Sequence, residues 1–295
     1  MTETRALRGT FFLAVNPRAG RGRAVDSARR AAELLRAGGA EAVVLTAHDH
    51  ERGDGMVQAG LGVLVELSGQ GVDVPLGIVP CGTGNDLARH LGVPLRDPEA
   101  AAGRVLRRLD DPVPRRLDVG RVLLPDGRTA YFGTALCAGF DAVVTARADR
   151  WLRPAGPGKY LLAVLVEVLR LRTVPYRLEV VDAAGGARAE SRDGVLLNVA
   201  NTSSVGGGLR IVPGARHDDG LLELFTVAPL GRARFLCLFP SLFTGRHVEL
   251  GCVRTERVRS LVLDAPGVTA YADGERLGPL PARVDVLPAA VRVLA

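Results

Sequence analysis

The sequence predicts an α/β N-terminal domain on an open, mostly parallel sheet, followed by an antiparallel β domain, and three observations predict it. First, Thr10–Val15 (TFFLAV), a Gly/Pro turn at 16–22, a helically spaced apolar run over Ala24–Ala37 and the run Ala42–Thr46 (AVVLT) give strand, turn, helix and strand in succession, as a parallel sheet begins. Second, the texture changes near Asp111–Arg116, beyond which short alternating apolar runs dominate. Third, turn signals such as Pro125-Asp126-Gly127 and Gly185-Gly186 separate those runs.

The elements follow in order. Gly38-Gly39 ends the first helix. Met56–Leu67 reads as a helix, Leu76–Val79 as a strand, Pro80–Gly84 as a loop, Asn85–Leu91 as a helix start and Glu99–Leu109 as a helix. Strands are expected at Arg116–Val122, Arg128–Cys137, Tyr176–Val181, Gly194–Ala200, Leu221–Val227, Arg259–Leu263 and Val284–Leu287. Helices are expected near Asp141–Leu152, Tyr160–Arg170 and Arg232–Phe243. The domains are thus 1–112 and 113–284, with 285–295 as a tail, and a catalytic cleft is expected between the halves.

A chain of 295 residues, 47% hydrophobic and 24% charged, suits two globular domains and excludes disorder. The net charge of +6 suits anionic partners such as ATP, acidic lipid headgroups or nucleic acid, or serves solubility alone. No stretch interleaves basic and aromatic residues as a nucleic-acid groove does. Lys159 is the only lysine, so no Walker-type lysine exists upstream of it. Cys81, Cys137, Cys237 and Cys252 form no CxxC pair and fit a reducing cytoplasm. Tyr160–Leu169 and Phe235–Phe243 are the most apolar stretches; both are too short to span a bilayer, and Glu167 and Pro240 interrupt them. A soluble or membrane-peripheral protein is expected.

Five segments carry chemistry. In Gly77–Arg89 (GIVPCGTGNDLAR), Gly82, Thr83 and Gly84 lead into a helix near Asn85, where backbone N–H groups can approach a phosphate. Asp86 there caps the helix or holds Mg²⁺ through water. Asn16–Gly20 (NPRAG) is a second phosphate-facing turn candidate, and Gly53-Asp54-Gly55 reads alone as a turn. In Val205–Leu222, three consecutive glycines precede Asp218-Asp219-Gly220, a solvated hairpin turn or a divalent-cation site completed by carbonyl oxygens. Asp273 and Glu275 (YADGE) are paired carboxylates suited to a general base and a metal ligand.

Taken in order, NPRAG, GDG, GTGNDLAR, GFDA (Gly139–Ala142), N-x2-N-x4-GGG with the DDG turn, GRH (Gly245–His247) and DGE resemble the diacylglycerol kinase catalytic family over nearly the whole chain. That family includes bacterial diacylglycerol and related lipid kinases and the eukaryotic sphingosine and ceramide kinases. The resemblance implies an N-terminal α/β domain like those of NAD kinases and phosphofructokinases, a C-terminal β-sandwich-like domain, and a tail that returns to the first domain. It implies ATP and Mg²⁺ as cofactors, with ATP bound by Asn16, Pro17, Arg18, Ala19, Gly20, Thr46, Gly53, Asp54, Gly55, Gly82, Thr83, Gly84, Asn85 and Asp86. It implies Asp273 as general base with Glu275 beside it, and a structural metal at Asp218, Asp219 and the Leu221 carbonyl. The expected partner is a lipid alcohol such as diacylglycerol. The expected location is cytoplasmic, with peripheral contact to anionic membrane through a basic face and Phe235–Phe243. The sequence leaves the oligomeric state open, a homodimer included.

The chain departs from the pattern before Gly53. The family carries GGDG, preceded by a helix and an apolar strand after the second strand. Here Arg52 replaces the first glycine and only Ala47–Arg52 separates Thr46 from Gly53. Six residues cannot hold a parallel crossover, so a shortened sheet with an exposed edge or apolar surface is expected. Two alternatives stand beside the lipid kinase: a nucleotide- or lipid-binding pseudokinase, and a kinase of a soluble acceptor such as NAD.

Overall fold

The computed structural model describes residues 10–15, 23–46, 56–82, 84–109, 111, 113–150 and 157–295, with backbone alone at 23, 45, 46, 56, 57, 149 and 157–159. The chain divides into two compact units, Met1–Arg116 with Val291–Ala295, and Leu117–Ala290.

In the first unit, β1 (Thr10–Val15) and β2 (Glu41–Thr46) pair in parallel from Thr10↔Glu41 to Val15↔Thr46. The crossover is α1 (Arg23–Ala37), which buries Ala32 and Leu35 against Phe11, Leu13 and Leu106. Three helices follow: α2 (Met56–Gly69), α3 (Asp86–His90) and α4 (Pro98–Arg108). Asp97 caps α4, accepting a 2.9 Å hydrogen bond from the Ala100 N–H, with Pro98 at the favoured first position.

Among the described residues this parallel sheet holds only β1 and β2. The strand expected at Leu76–Val79 is instead a single parallel bridge, Leu76 to Val293. The Leu76 N–H donates to Arg292 O and the Leu294 N–H to Leu76 O, both at 2.8 Å. Among the described residues the tail thus supplies the one β-bridge that Leu76 makes. Helix α1 covers one face of the small sheet, and Phe12 on the other face is 68% exposed.

The second unit is one antiparallel sheet in the order β12-β11-β5-β8-β9-β10-β13-β3-β4, with β6 on β10 and β7 on β6. Its strands are β3 (Arg115–Leu123), β4 (Thr129–Phe132), β5 (Ala135–Cys137), β6 (Val174–Asp182), β7 (Ala187–Gly194), β8 (Leu196–Ala200), β9 (Leu222–Val227), β10 (Val253–Asp264), β11 (Thr269–Ala272), β12 (Glu275–Pro279) and β13 (Ala282–Val293). The sheet divides at β10. Residues Val253–Val258 pair with β9, whereas Ser260–Leu263 lie between β6 and β13. The folded-over layers enclose a core of Phe132, Leu136, Tyr176, Leu178, Leu197, Leu224, Leu261 and Leu263.

Strand β8 is buried on both faces, so its sequence (LLNVA), apolar but for the buried Asn198, shows no alternation. Leu197 and Val199 enter that core, while Leu196 and Ala200 face a second one. The second core is roofed by helices α5 (Phe140–Arg150), α6 (Pro157–Val168), α7 (Arg232–Leu238) and α8 (Ser241–Thr244). The single helix expected over Arg232–Phe243 breaks into α7 and α8 at Phe239-Pro240, because proline cannot continue the hydrogen-bond ladder.

Candidate active site

The expected strand Arg128–Cys137 is interrupted at Gly133-Thr134, and the interruption holds a carboxylate. Asp273 Oδ2 accepts a 2.7 Å hydrogen bond from the Gly133 N–H. Its Oδ1 accepts from the Thr134 N–H at 2.9 Å and the Ala135 N–H at 3.1 Å. The Thr134 hydroxyl adds a further bond to this carboxylate. Asp273 and Gly274 form the two-residue turn between β11 and β12, with φ of 49° and 89°. Asp-Gly tolerates this left-handed pair, the geometry of a type I′ hairpin. The Asp273 N–H donates in turn to Ala135 O at 3.0 Å. Burial raises the Asp273 pKa, and the four donors oppose that shift without cancelling it. The result is a half-buried carboxylate of increased basicity locked in one orientation, as a general base requires. Glu275 opens β12 directly opposite Ala272.

Three residues to which the sequence reading gave no role, Asn201 of the N-x2-N-x4-GGG motif among them, support this carboxylate. Asn201 is fully buried, and its amide Nδ2 donates to the Gly133 carbonyl at 2.9 Å and to the Asp118 carbonyl at 2.7 Å. Asp118 accepts from the Gly220 N–H at 2.7 Å and the Ala289 N–H at 2.6 Å, and burial raises its pKa. The third is Thr134 itself. The signal for Asp118 was present in RRLDVGRV: an ionisable residue at a buried position of an apolar strand.

The DDG turn lies beside Asp118. Asp218 pairs with Arg216 at 3.2 Å, and Asp219 pairs with Arg257 and accepts the Leu221 N–H at 3.2 Å. Both carboxylates that were expected to hold a structural metal are thus already compensated by guanidinium groups. Among the described residues no group of three or more His, Cys, Asp or Glu side chains converges on a cation position.

The GGG block and GRH are joined structurally. Gly206, Gly207 and Gly208 all have positive φ, from 62° to 114°, which accounts for three glycines in a row. Gly245 (φ 79°) packs against Pro213, where an added Cβ would come within 2.5 Å of Cγ. His247 is fully buried, donates from Nε2 to Ile211 O at 2.7 Å, and sets its ring edge-on to Phe225. These motifs clasp the loop that leads to the DDG turn.

In the first unit, Asn85 closes the loop around Gly82–Gly84. It adopts a left-handed conformation (φ 53°, ψ 36°), accepts the Gly82 N–H at 2.9 Å and donates to Gly82 O at 2.8 Å. Gly84 O accepts from Arg89 at 3.2 Å, and Asp86, in the first turn of α3, lies 4.0 Å from the same arginine. Leu87 and Ala88 anchor α3 in the interior. Thr46 ends β2 opposite Val15. Asn16, Pro17, Arg18, Ala19, Gly20, Gly53, Asp54, Gly55 and Thr83 lie outside the described residues.

Comparison with known proteins places this geometry among relatives. Residues 134–295 match the YegS C-terminal NAD kinase beta sandwich-like domain, and residues 51–122 match the diacylglycerol kinase catalytic domain. A diacylglycerol kinase of Mycobacterium tuberculosis is 40% identical over 97% of this chain and 95% of its own. A Pseudomonas aeruginosa protein named "Probable lipid kinase YegS-like" is 32% identical over 75% of this chain and 68% of its own. The crystal structure of a diacylglycerol kinase from Bacillus anthracis shares the fold, with a TM-score of 0.70 at 22% identity over 97% of this chain and 96% of that one.

Proposed function

The chain belongs to the diacylglycerol kinase catalytic family, and from that premise we propose that it is an ATP-dependent lipid kinase acting on the hydroxyl of diacylglycerol or a related lipid alcohol. The observation that carries the chemistry is the Asp273 carboxylate, held by the Gly133, Thr134 and Ala135 N–H groups and raised in pKa by burial.

In this reading the lipid hydroxyl oxygen attacks the γ-phosphorus of ATP. A new O–P bond forms, the bond from the γ-phosphorus to the bridging oxygen breaks, ADP leaves, and the hydroxyl proton passes to Asp273. Such transfer depends on positioning and charge neutralisation more than on covalent help from the protein, so a chain without a Walker lysine can perform it. The Gly82–Asp86 turn serves the phosphates, with Asn85 fixing its shape. Asn16–Gly20, Thr46, Gly53–Gly55 and Thr83 complete the nucleotide contacts in this proposal, and Glu275 acts beside Asp273. Mg²⁺ keeps several waters and takes one or two carboxylates besides phosphate oxygens; Asp86 would be the carboxylate of this loop to hold it, in competition with Arg89 at 4.0 Å, and the ion would supply neutralisation of phosphate charge.

The test is label transfer from γ-labelled ATP to lipid in mixed micelles containing diacylglycerol, comparing the native protein with Asp273→Asn. Label in a phospholipid is expected, with kcat lowered by about 10² to 10⁴ in the variant, the usual contribution of a general base. A loss below tenfold overturns the assignment of the base. Label moving to NAD but to no lipid overturns the acceptor class, and ATP binding without any transfer makes this a nucleotide-binding protein.

A further inference from the structure

Helix α4 sets three arginines on one side. Arg104, Arg107 and Arg108 stand three and four residues apart, so they neighbour one another on the helix surface, while Ala101, Ala102 and Val105 are buried. The three guanidinium groups line an open groove of about 480 Å³. Arg115, at the start of β3, extends this surface. With Arg108, Asp111 and Arg292 it lines a water-sized notch of about 10 Å³, which meets the groove at Arg108.

Little compensates these charges. Arg108 donates from Nη1 to Asp111 Oδ2 at 2.5 Å. Arg104 donates to a neutral partner, the Gly92 carbonyl, at 2.5 Å. Arg107 and Arg115 join no ion pair among the described residues. Arg292 Nε is buried without a hydrogen-bond partner among the described residues, with an Asp73 carboxylate oxygen 3.8 Å away. Burial, and then the charges of Arg108, Arg115 and Arg107, lower the Arg104 pKa, so all three lie within electrostatic reach of Arg104. Like charges four residues apart cost a helix about 0.2–0.5 kcal/mol per pair. A helix C-terminus favours cations, which accounts for Arg107 and Arg108. It accounts neither for Arg104, a turn earlier, nor for Arg115, outside the helix.

We propose that Arg104, Arg107, Arg108 and Arg115 form a binding site for a water-borne oligophosphate, an anion carrying two or more phosphate groups, either inorganic or borne on a nucleoside. Guanidinium forks pair with phosphate oxygens two at a time, and four forks along a groove of this volume suit more than one phosphate group. The groove is lined by arginine alone, which gives an acyl chain nothing to pack against. Residues 91–116 include no Phe, Tyr or Trp on which a nucleic-acid base could stack. Arg104 also holds the Gly92 carbonyl just beyond α3, so an occupant sits against the helix that opens at Asn85. This inference goes beyond the proposed reaction and does not depend on it.

Isothermal titration of the full chain with tripolyphosphate, without ATP or lipid, reads the site. The native protein is expected to bind tripolyphosphate at least about tenfold more tightly than inorganic phosphate, and less tightly as salt rises. Arg107→Gln/Arg115→Gln removes no ion pair among the described residues. It is expected to weaken tripolyphosphate binding by about tenfold or more, through lost charge-assisted hydrogen bonds, with the unliganded Tm unchanged or raised by relief of repulsion. Arg29→Gln/Arg30→Gln, on the exposed side of α1, is expected to bind as the native protein does. Tripolyphosphate held at the Gly82–Asn85 loop survives in both variants, so equal binding by Arg107→Gln/Arg115→Gln and native protein overturns the proposal. Equal native affinities for phosphate and tripolyphosphate also overturn it. Arginine-dependent binding that is tighter for ADP than for pyrophosphate supports the site and makes its source a nucleotide, and the reverse order supports it with an inorganic source. Native protein that ignores tripolyphosphate yet floats with anionic vesicles, in a manner lost in Arg107→Gln/Arg115→Gln, overturns it and gives the arginines to lipid headgroups.

Discussion

The Gly133 N–H donates a 2.7 Å hydrogen bond to Oδ2 of Asp273, and the Gly133 carbonyl accepts one from Asn201. One peptide neighbourhood thus joins the hairpin that carries the proposed base to a buried amide, and Asn201 reaches from there to the Asp118 carbonyl. Asp118 in turn holds the Gly220 and Ala289 N–H groups. The DGE and DDG motifs, far apart in sequence, are therefore linked by hydrogen bonds through three residues that neither motif contains, Gly133, Asn201 and Asp118.

Replacing Asn201 tests that link. Asn201→Leu keeps the branched shape but leaves the Asp118 and Gly133 carbonyls without their buried donor, which costs about 2–3 kcal/mol. Urea unfolding should show that loss. The kcat for lipid phosphorylation should fall with little change in the KM for ATP, because the Gly133 donor to Asp273 is no longer held. Unchanged kcat in a folded Asn201→Leu would separate Asn201 from the base.

Much of this was legible, and the failures have physical causes. β1 and α1 followed from apolar spacing, and the small residues of GTGND correctly marked a loop entering a helix. The hairpin β11–β12 escaped because its strands are short and buried on both faces around Tyr271 and Ala272, leaving no alternation to read. The break at Gly133-Thr134 was illegible because its cause, Asp273, lies 139 residues away for Thr134. The outer face of α6 escaped for the opposite reason: LLAVLV reads as core from sequence, and only packing reveals that half of it faces outward.

Asp141, in the GFDA motif, gives a pH-dependent prediction. Its Oδ1 accepts the Ala142 N–H at 2.9 Å, while Oδ2 is buried without a hydrogen-bond partner among the described residues. Burial pushes its pKa up to about 6 from 3.8. The folded protein then binds this proton more tightly than the unfolded chain. The stability contributed is full below 3.8 and is lost as pH rises through about 6. Relative to Asp141→Asn, the native protein should lose about 2 kcal/mol between pH 4 and 7. Chemical denaturation of both proteins across that range checks it; parallel stability curves would mean that Asp141 does not titrate there.

The DDG turn poses a competition. Asp219 gives one carboxylate oxygen to Arg257, and Arg257 also lies 3.8 Å from Glu223. A divalent cation bound at Asp218, Asp219 and the Leu221 carbonyl must displace that guanidinium, so part of its binding free energy is spent separating an existing pair. Removing the arginine should therefore strengthen cation binding. Because a ligand that binds only the folded state raises Tm with its affinity, the rise in Tm on adding Mg²⁺ should be larger in Arg257→Ala than in the native protein, by several degrees. Asp219→Asn should abolish the difference, because the displaced and displacing cations share that carboxylate. Equal shifts in Arg257→Ala and the native protein would mean that Mg²⁺ acts elsewhere, and that Arg257 alone neutralises this turn.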